Sequence, residues 1–405
     1  MKFNLKLISQ ILLAVLILTM LIPVFSGCDS NKQVVNVFNW GEYICDDEEL
    51  NVLKEFEKET GIKVNYTTYA TNEELYSKLK SSGANYDVII PSDYMIGRMI
   101  EEDMLEKINF NNVPNYKNIM EEYKNLEFDP KNEYSIPYTW GTVVLIYNTK
   151  HVTEPADGWS WDVLWDEQYK DKIIMFHNSR DAFCIALKKL NYSANTTNID
   201  ELERAADILK EQSKIIQGYY MDEIFGKIGG EEAWVAPYYA GDALTMIEEN
   251  EENAIKNNTE PFLAAAYPKE GTNLFVDSMC IPKGAKNKEA AEKFINFMCE
   301  GKIAAANIKS IKYSTPNQAA YDLLGEEITG NPITYPGEEF FNDPKNEVFV
   351  NLPEDINKKI DSLWTEIRGS SSDNVFLFPT VIAGLIVICV IIIIAGRRKK
   401  KNLKY

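Results

Sequence analysis

Four short segments set aromatic rings beside acids: Trp40-Gly41-Glu42-Tyr43, Ser92-Asp93-Tyr94, Tyr238-Tyr239-Ala240-Gly241-Asp242 and Phe275-Val276-Asp277-Ser278. A carboxylate takes an ammonium group through charge-assisted hydrogen bonds. An aromatic face adds a cation–π attraction of about 0.5–2 kcal/mol and covers methylene groups. One such pair is ordinary packing beside a solvated acid. Four of them, each where a strand-like run ends, point to a binding site for an organic cation, because open α/β sheets hold ligands at that edge. Reaction chemistry finds little support. The chain has two histidines, His151 and His177, neither in a zinc spacing, and it lacks a Gly-x-Ser-x-Gly turn and a phosphate-cradling glycine loop. The run Asp46-Asp47-Glu48-Glu49 falls at an expected helix start, where acids offset the dipole without a metal. No enzyme activity, metal or cofactor is expected.

The charge distribution agrees with a cationic ligand. The 405 residues carry a net charge of −19, yet all 61 acids lie between Asp29 and Asp373. Eight of the 42 basic residues (Lys2, Lys6, Arg397, Arg398, Lys399, Lys400, Lys401 and Lys404) lie outside that span, which leaves it at −27. Such a field gathers cations and repels nucleic acid. It also serves solubility. The cysteines Cys45, Cys184, Cys280 and Cys299 share no metal-binding spacing, and the apolar neighbours of the last three favour buried thiols, with one disulfide left open.

The elements that must position these residues alternate. Strand-like runs at 34–39, 62–69 and 86–90 are separated by helical spacing at 46–59 and 72–80, with a further helix at 97–105. Thr71 followed by Glu74 reads as a helix cap. A second set has a buried strand at 143–147, helices at 161–165, 180–190 and 199–210, and a turn through 229–239 into a helix at 243–252. It continues with a strand at 274–281 and helices at 288–299 and 353–367. Strands alternating with helices predict an α/β protein with parallel sheets and crossovers. The length suits two lobes of about 150 residues with a cleft between them.

Both ends carry membrane signals. Lys2 and Lys6, the uncharged run 7–24 and Phe25-Ser26-Gly27-Cys28 form an export leader, residues 1–27. Its end resembles a bacterial lipobox, which makes Cys28 the acylated first residue of the exported protein. Residues 375–395 contain no charge and are long enough for a membrane helix. Residues 369–374 read as a tether, and the basic tail 396–405 stays cytoplasmic, so the acidic domain lies outside.

Six further segments occur in order: Asn39-Trp40-Gly41-Glu42-Tyr43, Thr60-Gly61-Ile62-Lys63-Val64, Tyr86-Asp87-Val88-Ile89-Ile90-Pro91-Ser92, Tyr134-Ser135-Ile136-Pro137-Tyr138, Asp277-Ser278-Met279-Cys280-Ile281-Pro282 and Ser314-Thr315-Pro316-Asn317. Together they resemble the spermidine/putrescine-binding proteins of bacterial polyamine ABC importers, from about Val34 to Arg368. The resemblance implies a two-lobed periplasmic-binding-protein fold of type II. Lobe one would comprise 32–142 and 276–321, and lobe two 143–275 and 322–368. It implies ligand contacts at Trp40, Glu42, Tyr43, Ser92, Tyr94, Asn178, Asp181, Tyr239, Asp242, Phe275, Asp277 and Tyr313. Asn178 stands where a family member has Asp, Tyr239 and Phe275 stand on Trp positions, Asp242 stands on a small residue, and no Gln matches near Val350. The implied function is capture of a polyamine and its delivery, by a monomer, to an ABC permease with a cytoplasmic ATPase. A receptor for another organic cation, and a membrane-tethered polyamine sensor, fit the same residues.

Overall fold

Alternating burial at Val35 and Val37 marks β1 (Val34–Trp40), which pairs in parallel with β2 (Lys63–Tyr69) and β3 (Val88–Ile89). The computed structural model describes residues 33–46, 50–81 and 85–370. The leader with Cys28, the span 375–395 and the basic tail lie outside the described residues. Among the described residues no helix is long and apolar enough to cross a membrane.

Right-handed α/β logic governs each end of the sheet, where parallel strands need helical crossovers. Helix α1 (Val52–Thr60) links β1 to β2, α2 (Asn72–Lys80) links β2 to β3, and α3 (Asp93–Glu101) follows β3. At the other end β6 (Ile173–Phe176), β7 (Ile216–Tyr220) and β8 (Val235–Tyr239) lie in parallel, with α4 (Ser179–Lys189) and α5 (Ile199–Gln212) between β6 and β7. Helix α6 (Ala240–Asn257) leaves β8 directly.

Two long antiparallel strands join these ends. These are β5 (Ser135–Asn148) and β10 (Asn273–Pro282), and the full path is β2-β1-β3-β10-β5-β8-β6-β7, with the short β4 (Leu105–Glu106) and β11 (Glu347–Val348) on β10 and β9 (Leu263–Ala266) on β5. The first part of β5 pairs with β10, and its last part, from Val143, pairs with β8 and β9. Thus one strand belongs to both halves of the molecule. The purely parallel sheet expected from the sequence is broken here. Strand β5 begins eight residues before the expected 143, because Pro137 and Gly141 disguise it. Pro137 has no N–H for a ladder, and it sits beside the register shift at Asp277/Ser278, where a bulge tolerates it.

Apolar cores follow the same division. One gathers Val143–Ile146, Phe176, Phe183, Leu202 and Tyr238 with Ile356, Ile360 and Trp364 of α7 (Glu354–Ser370). Another gathers Val35, Val37, Phe56, Ile136, Phe294, Ile308 and Leu324. A third, smaller one mixes both sides, with Phe38, Met95 and Met99 beside Cys184 and Phe349. Cys184, Cys280 and Cys299 are buried free thiols.

Two helix boundaries shift from their sequence expectation for local reasons. The Asn51 side chain accepts from Lys54 N at 2.9 Å, so α1 starts at Val52 rather than Asp46. Helix α3 starts at Asp93, directly after β3, so Met104 and Leu105 are free to lead into β4.

Asp87 locks the β1–β3 end. Fully buried, it accepts from Asn36 N (2.9 Å), Asn36 Nδ2 (2.8 Å), Asn287 N (2.9 Å) and Asn287 Nδ2 (3.0 Å). Asp87→Ala removes the acceptor of four donors, and since Asn36 and Asn287 are only partly buried, water recovers much of the about 1–3 kcal/mol that each unmet donor would cost. We expect a loss of about 3 kcal/mol in urea unfolding, seen as a lower midpoint at unchanged slope.

Candidate functional site

Where the halves meet, strand ends and helix starts surround a slot of about 570 Å³. Trp40 and Tyr43 reach it from the end of β1, Ser92 and Tyr94 from the start of α3, and Asn178 and Asp181 from the start of α4. Tyr239 and Asp242 come from the β8–α6 junction, Phe275 and Asp277 from β10, and Tyr313 from just beyond Ile311, the last residue of a helix. Eleven of the twelve residues expected from the sequence therefore line one cavity. Glu42 does not. It is exposed in a left-handed turn (φ 44°), and it acts on the slot only through its charge, which adds to the fields at Asp222 and Asp242.

The rings form a connected wall. Tyr239 meets Phe275 edge-on at 5.6 Å, Phe275 lies 6.3 Å from Tyr313, and Tyr313 meets Tyr43 at 4.6 Å and 89°. Trp40 is held by its Nε1 donating to Ile90 O at 2.8 Å and by the ring of Tyr69 at 4.7 Å. Asn72 orders the neighbouring corner, donating to Ser92 Oγ at 3.1 Å and to Tyr94 OH at 3.2 Å.

Three of the four carboxylates lining the slot are each tied to a ring hydroxyl. Tyr43 OH donates to Asp277 Oδ2 at 2.7 Å, Tyr239 OH to Asp181 Oδ2 at 2.9 Å, and Tyr313 OH to Asp242 Oδ2 at 2.9 Å. Asn178, the cap of α4, adds a 2.7 Å bond to Asp181. These bonds orient the acids but do not neutralise them. Burial, partly offset by Ser92 and Tyr43, pushes Asp277 up to about 6. Burial against the Tyr239 bond, with the charge of Glu73 adding, pushes Asp181 up to about 7. Burial also lifts Asp242 well above the usual carboxylate range, with Tyr313 opposing and Asp222 and Glu42 adding. Desolvated carboxylates without a cation hold their protons. A ligand carrying positive charge reverses that cost.

Asp93 stands apart from this set although it neighbours Ser92. Its oxygens accept from Tyr94 N (2.7 Å) and Val276 N (3.1 Å), so it ties α3 to β10 rather than facing the slot. The sequence reading missed Asn72, Asp222, Tyr238, Asn273 and Phe349, which also line it. Asp222 follows β7, a strand whose Gly218 and adjacent Tyr219 and Tyr220 hid its alternation. A Cβ on Gly41 would stand 2.5 Å from Asp222 Oδ2, so a larger residue there would push that carboxylate aside.

Gly241, the second residue of α6, is similarly constrained. A Cβ there would lie 2.2 Å from Tyr313 Cδ2. Gly241→Ala therefore displaces Tyr313, loosens its bond to Asp242, and is expected to weaken ligand binding about tenfold, read by calorimetry.

Residues 51–336 match the family model described as bacterial extracellular solute-binding protein. The spermidine/putrescine-binding periplasmic protein of Escherichia coli strain K12 is 37% identical over 305 residues, 75% of this chain and 83% of that protein. The putrescine-binding periplasmic protein SpuD of Pseudomonas aeruginosa is 32% identical over 352 residues, 84% of this chain and 93% of its own. Among solved structures, a putative spermidine/putrescine ABC transporter protein of Listeria monocytogenes superposes with a TM-score of 0.75 at 35% identity, covering 83% of this chain and 99% of that one. Fold, matched span and identity agree: the chain belongs to the bacterial extracellular solute-binding proteins and has their periplasmic-binding-protein α/β fold.

Proposed function

We propose that this protein is the extracytoplasmic polyamine receptor of an ABC importer. A linear polyamine lies along the slot with its ammonium groups drawn by the carboxylates of Asp181, Asp242 and Asp277 and its methylenes between Trp40, Tyr43, Tyr94, Tyr239, Phe275 and Tyr313. The observation that carries this reading is that Asp181, Asp242 and Asp277, all buried, are each bonded to a ring hydroxyl within one aromatic-walled slot. The names of the relatives at 37% and 32% identity support the same class of ligand.

No group in the slot is asked to make or break a bond. Ser92 and Asn178 supply further polar contacts, and Glu42 supplies long-range attraction at the mouth. Binding draws the halves together about β5 and β10, the strands they share, as hinge closure around a ligand does. The closed form is what a permease recognises before the solute is released to it. Acylation at Cys28 and the apolar span 375–395 hold the receptor, as a monomer, at the outer face of the membrane.

Calorimetry of the purified chain with putrescine, spermidine and a panel of amino acids tests the reading. Micromolar or tighter binding of a polyamine and none of the amino acids is the expected result. At one hundred times its dissociation constant the ligand adds about 2.7 kcal/mol to stability, visible as a rise in melting temperature. Binding of amino acids alone would remove the polyamine assignment.

A further inference from the structure

Two buried polar atoms lining the slot have no hydrogen-bond partner among the described residues: Asp277 Oδ1 and Asn273 Oδ1. Both side chains are 3% exposed. Both stand on β10, on the same face as Phe275, since residues two apart along a strand share a face and the register shift falls only after Asp277. The wall thus presents a charged acceptor, a ring and a neutral acceptor in a row. Asp277 belongs to the ligand contacts already argued, whereas Asn273 has been given no role.

An unmet buried amide oxygen is costly, on the order of 1–3 kcal/mol, and folded proteins rarely keep one without a use. Backbone pairing does not require asparagine at this position. The strand contacts of residue 273, with Glu347 on β11, run through the main chain, and the neighbouring Thr272 and Asn346 make their own bond at 3.0 Å. What the oxygen lacks is a donor arriving from the slot.

Spacing indicates which donor. Four residues of strand advance about 13 Å. An extended amine chain advances about 1.25 Å per bond, from bond lengths of about 1.5 Å. The nitrogens of a four-carbon diamine are then about 6 Å apart, and the terminal nitrogens of a spermidine-length triamine about 11 Å. A diamine held at Asp277 ends over Phe275, whose ring covers its methylenes, and falls short of Asn273. A triamine reaches it.

Resting on the polyamine reading, we infer that Asn273 is a specificity-determining residue whose Oδ1 accepts a hydrogen bond from the far terminal ammonium of a triamine, extending the site beyond what a diamine occupies.

The test compares putrescine and spermidine by calorimetry on the wild-type chain, Asn273→Leu and Asn273→Asp. Asn273→Leu is expected to weaken spermidine about tenfold and to leave putrescine within about twofold. Asn273→Asp restores an acceptor and is expected to hold or raise spermidine affinity. The ligand-free Leu variant should melt no lower than the wild type, because it removes an unmet polar atom. Equal losses for both amines, or no loss for either, overturn the inference while leaving the polyamine reading standing. If the wild-type chain binds neither amine, that reading fails and takes the inference with it.

Discussion

Asp277→Asn lowers polyamine affinity by about a hundredfold or more while leaving the ligand-free fold intact. The substitution keeps the shape of the side chain and an oxygen to accept from Tyr43 OH, now 2.7 Å from Asp277 Oδ2. It removes the charge that faces the ammonium group. Losing one partner of a buried, hydrogen-bonded charge pair costs about 2–5 kcal/mol, and each 1.4 kcal/mol is tenfold in affinity. Without ligand the sign is opposite. Asp277 is buried, one of its oxygens has no hydrogen-bond partner among the described residues, and burial has pushed its pKa up to about 6. An uncharged amide relieves that cost, so the ligand-free variant should melt at or above the wild-type temperature near pH 8. Calorimetry and thermal unfolding on the same preparation separate the two effects. Affinity within threefold of wild type would remove Asp277 from the site, and a large drop in melting temperature would assign it a structural role instead.

The same physical contrast explains what could be read from the sequence. Binding residues at strand ends were legible because an acid beside a ring is conspicuous where an apolar run stops, as at Phe275-Val276-Asp277 and Tyr239-Ala240-Gly241-Asp242. Membership in the slot then followed for every expected residue but Glu42, whose left-handed turn carries it out to solvent. Asp222, Asn72 and Asn273 were not legible, since each reaches the cavity through a tertiary approach. Asp222 is brought to Gly41 from the opposite half, and Asn273 has no aromatic neighbour except through the alternation of β10. Strand β5 illustrates the limit for the fold. Its local pattern broke at Pro137 and Gly141, and only pairing with β10 makes those residues a strand. Helix α2 was easier, because its Thr71 cap acts within a few residues of itself, whereas the Asn51 cap that starts α1 late was overlooked in favour of the acidic run before it.

Polyamine affinity should fall by about a hundredfold between pH 7.5 and pH 5.5. The ligand's amines, with pKa values near 10, remain charged across this range. The change lies in the protein. Asp181 titrates at about 7 and Asp277 at about 6, both raised chiefly by burial, and Asp242 lies higher than the usual range for the same reason. A bound ammonium favours the ionised forms, so binding expels protons, and the affinity falls about tenfold per pH unit for each proton expelled. Near pH 6.5 that is about one proton from Asp181, and below pH 6 a second from Asp277. Glu73 and Arg180 act on Asp181 in opposite directions, Glu73 raising and Arg180 lowering its pKa, without cancelling the effect of burial. For stability the sign runs the other way. Because these folded-state values exceed the unfolded one of about 3.9, the native protein binds more protons than the unfolded chain between pH 4 and 7. Their contribution to stability is complete below pH 4 and is lost as pH rises through 7, so the ligand-free protein gains least from them at pH 8. That is where added polyamine should raise the melting temperature most. Calorimetry in two buffers of different ionisation enthalpy reads the expelled protons directly. An affinity that stays flat from pH 5.5 to 8, with no buffer dependence, would mean that these carboxylates are already ionised before the cation arrives, and the desolvated slot could not then be what grips it.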